Sequence, residues 1–94
     1  MSEHPQSQEL TPDQVLRLER RKYEQRDIMF WTVYGDPTDF PGKFVCRPSS
    51  IKHGTFNHHL IADSLDALRK KIPAGLIQMG RSKSDDPTIV EIWF

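Results

Sequence analysis

The chain is poor in cysteine and carries no net charge of either sign. Cys46 is the sole cysteine, so no internal disulfide can form and no cysteine-based zinc finger can be built. Lysine and arginine total 13, and so do aspartate and glutamate. The basic excess of a typical nucleic-acid binder is missing, so such an activity would need a local patch. A polybasic membrane anchor lacks support on the same ground. No apolar run reaches the length of a membrane-spanning helix, and the opening M-S-E-H-P-Q-S-Q-E is too polar for a signal peptide. A glycine-rich phosphate loop and a G-x-S-x-G elbow are also absent. The expectation is a cytoplasmic protein with no membrane association, no cofactor and no metal.

What is present suits one small domain. The 94 residues are 36% hydrophobic, enough for one modest core. Residues 1–10 are polar and expected to be mobile, which leaves a single domain over 11–94. Thr11, Pro12 and Gln14 have the types and spacing of a helix start with a capping box. The helix should run to about Arg26 with a thin apolar stripe of Val15, Leu16, Leu18 and Tyr23. I-M-F-W-T-V-Y (28–34) reads as a central strand, since both of its alternating sets are largely apolar. The turn-rich G-D-P-T-D-F-P-G leads into K-F-V-C-R (43–47), a second strand paired as a hairpin and ended by Pro48. Residues 49–60 read as irregular. Asp63 or Ser64 caps a short helix that turns Leu65, Leu68 and Ile72 inward, stopped by Pro73 and Gly75. Strands over 76–80 and 88–94 close the chain as a hairpin across R-S-K-S-D-D-P. In the last strand Val90, Ile92 and Phe94 point one way, and Ile89, Glu91 and Trp93 the other. The expected fold class is α+β: an antiparallel sheet of about four strands in the order α-β-β-α-β-β, with one core helix and a peripheral N-terminal helix.

Three stretches carry a resemblance: V-Y-G-D-P-T-D-F-P-G-K-F-V-C-R (33–47), S-L-D-A-L-R-K-K-I-P-A-G-L (64–76) and D-D-P-T-I-V-E-I-W-F (85–94). They cover about two-thirds of the chain. In them the sequence resembles a family of small bacterial proteins, some from phages or mobile elements, with a tyrosine–proline–aspartate–aromatic–proline turn and a closing Asp-Asp-Pro strand. The resemblance implies a fold and a source but brings no assigned chemistry. That family's turn holds an Asp-His pair where this chain has Gly35 and Asp36, which argues against an imidazole role there.

Several residue groups compete as sites. His53, His58 and His59 fall within seven positions, and Cys46 would add a thiolate; a metal-dependent hydrolase would be built there. The adjacent pair His58 and His59 would point to opposite faces of a strand, and no H-E-x-x-H spacing occurs, so a solvated connector is the plainer reading. Asp36, Asp39, Asp85 and Asp86 could converge on a hard cation, but aspartate beside proline is ordinary turn chemistry. Cys46 lies in an apolar strand and reads as a buried, inert thiol. Arg17, Arg20, Arg21, Lys22 and Arg26 offer a basic stripe for nucleic acid, interrupted by Glu19 and Glu24. Phe30, Trp31, Tyr34, Phe40, Phe44, Trp93 and Phe94 are too many for one helix-covered face. Some should form an apolar patch on the second sheet face, for the N-terminal helix or a partner to cover. The leading expectation is therefore a protein-interaction module. Trp31, Tyr34, Trp93 and the N-terminal helix with Arg17, Arg20 and Arg21 are its contact candidates, and a homodimer through the edge of the C-terminal strand is a further option.

Overall fold

The computed structural model describes residues 7–79 and 87–94. Residues 8–10, expected to be mobile, are tied to the sheet. Strand β1 (Gln8–Glu9) joins the sheet, and Leu10 is buried, its N–H donating to the His59 carbonyl at 2.7 Å. Residues 7–10 are thus part of the domain; residues 1–6 lie outside the described residues.

Helix α1 (Pro12–Glu24) starts as its sequence dictates. The Gln14 N–H donates to Thr11 Oγ1 at 3.2 Å, and the Thr11 N–H donates to Gln14 Oε1 at 2.9 Å. Two otherwise orphaned donors are satisfied reciprocally. The helix stops two residues short of Arg26, which takes a left-handed φ of 51°. Its buried stripe is narrower than the apolar pattern suggested. Val15 is buried and Leu18 packs against the core, but Leu16 and Tyr23 are exposed.

Strands β2 (Met29–Gly35) and β3 (Phe44–Ser50) form the expected antiparallel hairpin, in register from Met29↔Ser50 to Gly35↔Phe44. In the connection Asp36 has φ 51°, and its Oδ1 accepts the Gly42 N–H at 2.6 Å, a side-chain closure of a tight turn. Pro48 does not end β3. Its carbonyl accepts the Phe56 N–H at 3.1 Å, and it sits where the pairing of β3 steps from one neighbour to another, so the N–H that proline lacks is not needed.

The stretch read as irregular contains β4 (Gly54–Thr55) and β5 (His58–Ala62), both paired antiparallel with β3. Ser64 caps α2 (Leu65–Arg69), its Oγ accepting the Ala67 N–H at 3.1 Å. Leu68 and Ile72 are buried, as their spacing predicts. Strands β6 (Gln78–Met79) and β7 (Ile89–Trp93) pair antiparallel.

The domain is α+β, with a mixed seven-stranded sheet in place of the four antiparallel strands expected. The order is β1-β5-β3-β2-β7-β6, with β4 pairing β3 beside that path. Among the described residues only β1 and β5 run parallel. The two outermost strands are two residues long each. The C-terminal strand β7 is not an edge: it lies between β2 and β6. Both helices cover the same face. Val15 of α1 and Leu68 of α2 join one cluster with Met29, Trp31, Val33, Cys46 and Leu60. No helix among the described residues is long and apolar enough to cross a membrane.

Candidate interaction surface

Strand alternation and register sort the sheet side chains into two faces. On the helix-covered face lie Met29, Trp31 and Val33, with Trp93 directly opposite Trp31 and Glu91 opposite Val33. Trp31 has no exposed surface at all, so as a proposed contact residue it is corrected to a core residue: it offers nothing for a partner to touch.

Glu91 is the most unusual group on that face, a carboxylate only 2% exposed. Arg69 donates to it from Nε at 3.0 Å and from a terminal nitrogen at 2.8 Å. Trp93 Nε1 donates at 3.0 Å and Gln78 Nε2 at 3.2 Å. The two-pronged Arg69 contact holds the Glu91 carboxyl below the usual carboxylate range against the opposing effect of burial, and Trp93 adds to it. Cys46 is fully buried, and desolvation, with the Glu91 charge, pushes its thiol far up, which removes its nucleophilic form. Trp93 is thereby a half-buried member of this network, with only part of its ring available to a partner. The sequence put Glu91 and Trp93 on the same side of the last strand but did not say which side is inward; the Arg69 partner lies 22 residues away and had no local signature.

A second buried carboxylate, Asp27, fixes the α1–β2 connection to the β3–β4 turn. Its Oδ1 accepts the Ile28 N–H at 2.9 Å and the Lys52 N–H at 3.1 Å, and Arg21 lies 3.5 Å from Oδ2. Desolvation would raise its pKa; hydrogen bonds from Lys52, Ser50 and Ile28, with the Arg21 guanidinium beside it, outweigh it and bring the value down. Arg21 also lies over the Phe56 ring, 5.3 Å from its centroid. Of the basic stripe, Arg21 is therefore built into the fold and Lys22 pairs with Glu19 at 2.7 Å, while Arg17 and Arg20 are exposed.

The histidines are dispersed. His53 is exposed, His58 half-buried and His59 buried. His59 is hydrogen-bonded through Nδ1 to Ser7 Oγ at 2.7 Å, and Phe40 stands 4.8 Å from its ring. Burial first, and the nearby Arg47 charge second, lower its pKa. Among the described residues no three His, Cys, Asp or Glu side chains are placed to share a metal ion. Asp39 pairs with Arg47 and Asp36 closes its turn; Asp85 and Asp86 lie outside the described residues.

Among the described residues the opposite face of the sheet has no helix on it. One end is roofed by the β2–β3 connection, where Phe40 covers His59 and Val45 is fully buried. The rest is open. β2 presents Phe30, Thr32 and Tyr34, all half-buried. Ile28 extends this row, its carbonyl accepting the Ile51 N–H at 3.1 Å, so Ile51 shares the face. Ile92 pairs with Thr32 and with Met79, and Phe94 and Ile77 exchange hydrogen bonds at 3.0 and 2.8 Å. The Phe30 and Phe94 rings lie 6.2 Å apart, within the range of favourable aromatic pairs. Seven large hydrophobic side chains are exposed among the described residues, and five of them, Ile28, Ile51, Ile77, Met79 and Phe94, sit on this one face. At its margin Tyr23, Ile28 and Phe94 line a shallow depression of about 440 Å³, together with Lys22 and Arg26. Of the three aromatic contact candidates, only Tyr34 belongs to this face.

Comparison of the chain with protein-family models, with curated proteins and with solved structures found no match.

Proposed function

We propose that this chain is a small protein-interaction module rather than an enzyme, and that the uncovered sheet face is its contact surface. The observation that carries this reading is the concentration of five exposed apolar side chains on one continuous face. Scattered surface hydrophobics are ordinary, but a contiguous apolar face rimmed by polar groups is the signature of a binding surface. The face is also almost uncharged. Among the described strand residues the register puts two charged side chains on it, and both are engaged: Arg47, 24% exposed, with Asp39, and Glu9, at the β1 edge, with Lys71. That favours a protein surface over a nucleic acid, whose backbone demands free cations. The resemblance to small bacterial and phage proteins would make the partner a protein of the host cell.

The test compares capture by the natural chain and by an Ile51→Glu/Ile77→Glu variant, both first shown to be folded by thermal melt. A stoichiometric protein retained by the first and lost by the second supports the reading. Identical captured proteins, or none with either chain, would sink it. Nucleic acid retained by the natural chain, and released when Arg17 and Arg20 are replaced by glutamine, would instead favour the basic helix.

A further inference from the structure

On the helix side, away from the uncovered sheet face, a groove of about 470 Å³ opens between the first turns of α1 and the chain that leaves α2. Its volume falls within the roughly 300–1,000 Å³ typical of small-molecule sites. The floor is the core itself: Leu10, Val15, Leu60 and Ile72 are each at most 9% exposed. Leu16 stands beside it with 55% of its surface exposed, next in sequence to the buried Val15. The polar lining is small and one-sided. Lys71 donates to the Ile61 carbonyl at 2.7 Å and lies 3.5 Å from Glu9. With Glu9 neutralised in this way, Lys70 is a cation with no ion pair among the described residues.

An apolar trough with one spare positive charge at its mouth suits a ligand with an apolar tail and a single negative head. We infer that this groove binds a free medium-chain carboxylate, its alkyl chain laid over Val15, Leu60 and Ile72 beside Leu16 and its carboxylate held by Lys70. The charge on Lys70 sets the preference for an anionic head. The apolar floor sets the dependence on chain length, with Kd falling about fourfold for each methylene that becomes buried.

The experiment is a methyl-detected NMR titration of the full chain with octanoate, decanoate and decyltrimethylammonium, each below its micellar concentration. The expected result is saturable one-to-one shifts at Leu10, Val15, Leu16, Leu60 and Ile72, tighter for decanoate than for octanoate. Decyltrimethylammonium should bind at least tenfold more weakly, and Lys70→Glu should reverse that order. Leu16→Glu, at an exposed position, should weaken decanoate without lowering the melting temperature. No saturable shift at these methyls, equal affinity for the two head groups, or an unchanged preference in Lys70→Glu would overturn the inference. So would shifts confined to Ile28, Ile51 and Ile77, which would place the ligand on the sheet face. Binding to anionic phospholipid vesicles without binding to monomeric decanoate would overturn it too. Loss of the protein partner in the Ile51→Glu/Ile77→Glu variant does not bear on this groove, so the two proposals fail separately.

Discussion

The two faces of the sheet carry similar side chains and treat them differently. On the covered face Trp31 is fully buried, and Trp93 spends its N–H on Glu91. On the open face Phe30 and Phe94 touch each other, and Ile51 and Ile77 keep about two-thirds of their surface in water. Residue type alone does not separate the two sets, since both are aromatic and branched aliphatic. Strand alternation and the side on which both helices lie decide which set becomes core and which becomes available surface.

That contrast can be broken most severely at Trp31. Trp31→Ala should cost about 3–5 kcal/mol, read as a lowered urea midpoint or as outright loss of the melting transition. A cost below about 1 kcal/mol would mean that the helices do not cover this face in solution. Glu91→Gln is the next largest. It keeps the shape of the side chain but removes the charge that Arg69 clasps, and should cost about 2 kcal/mol, with the Trp93 fluorescence altered.

Acid should act in two steps. Burial lowers the pKa of His59, so the unfolded chain takes up that proton first and stability begins to fall as pH drops below about 6.5. The Glu91 pKa is lowered by Arg69, so its contribution is complete above the unfolded value of about 4.3 and is lost as pH falls through the lower folded value. Urea midpoints between pH 7.5 and pH 3 should show both declines, and His59→Gln should remove only the upper one. Thr11→Ala, which takes away the cap on α1, should cost about 1 kcal/mol. The smallest effect belongs to the open face. Ile51→Ser and Ile77→Ser should each change stability by no more than about 0.5 kcal/mol. A large loss at either would show that the open face is structurally engaged.

Local physics was legible in the sequence, and distant pairing was not. The capping box at Thr11 and Gln14, the β2–β3 hairpin and the inward Leu68 and Ile72 all rest on rules that operate within a few residues. β1 and β4 are two residues long and show no period to read. β5 was hidden because His58 and His59 are polar, and because its parallel partner lies at Gln8 and Glu9, about fifty residues away. An apolar patch on the second sheet face could be expected from the surplus of aromatics, but its membership could not. Trp31 and Trp93 were exchanged for Phe30 and Phe94 because only the position of α1 tells the two faces apart, and that position depends on Val15 reaching the same cluster as Leu68.

The brevity of the outermost strands has a consequence for assembly. A sheet with an adhesive face and long bare borders would recruit copy after copy through backbone pairing and grow into fibres. Among the described residues β1 and β6 each pair over two residues, and neither of these strands alone offers much ladder on which to seed another. If the open face is the contact surface proposed above, association falls on the flat of the sheet, which one occupant fills and thereby closes. Such geometry favours finite complexes of fixed stoichiometry over open-ended polymers.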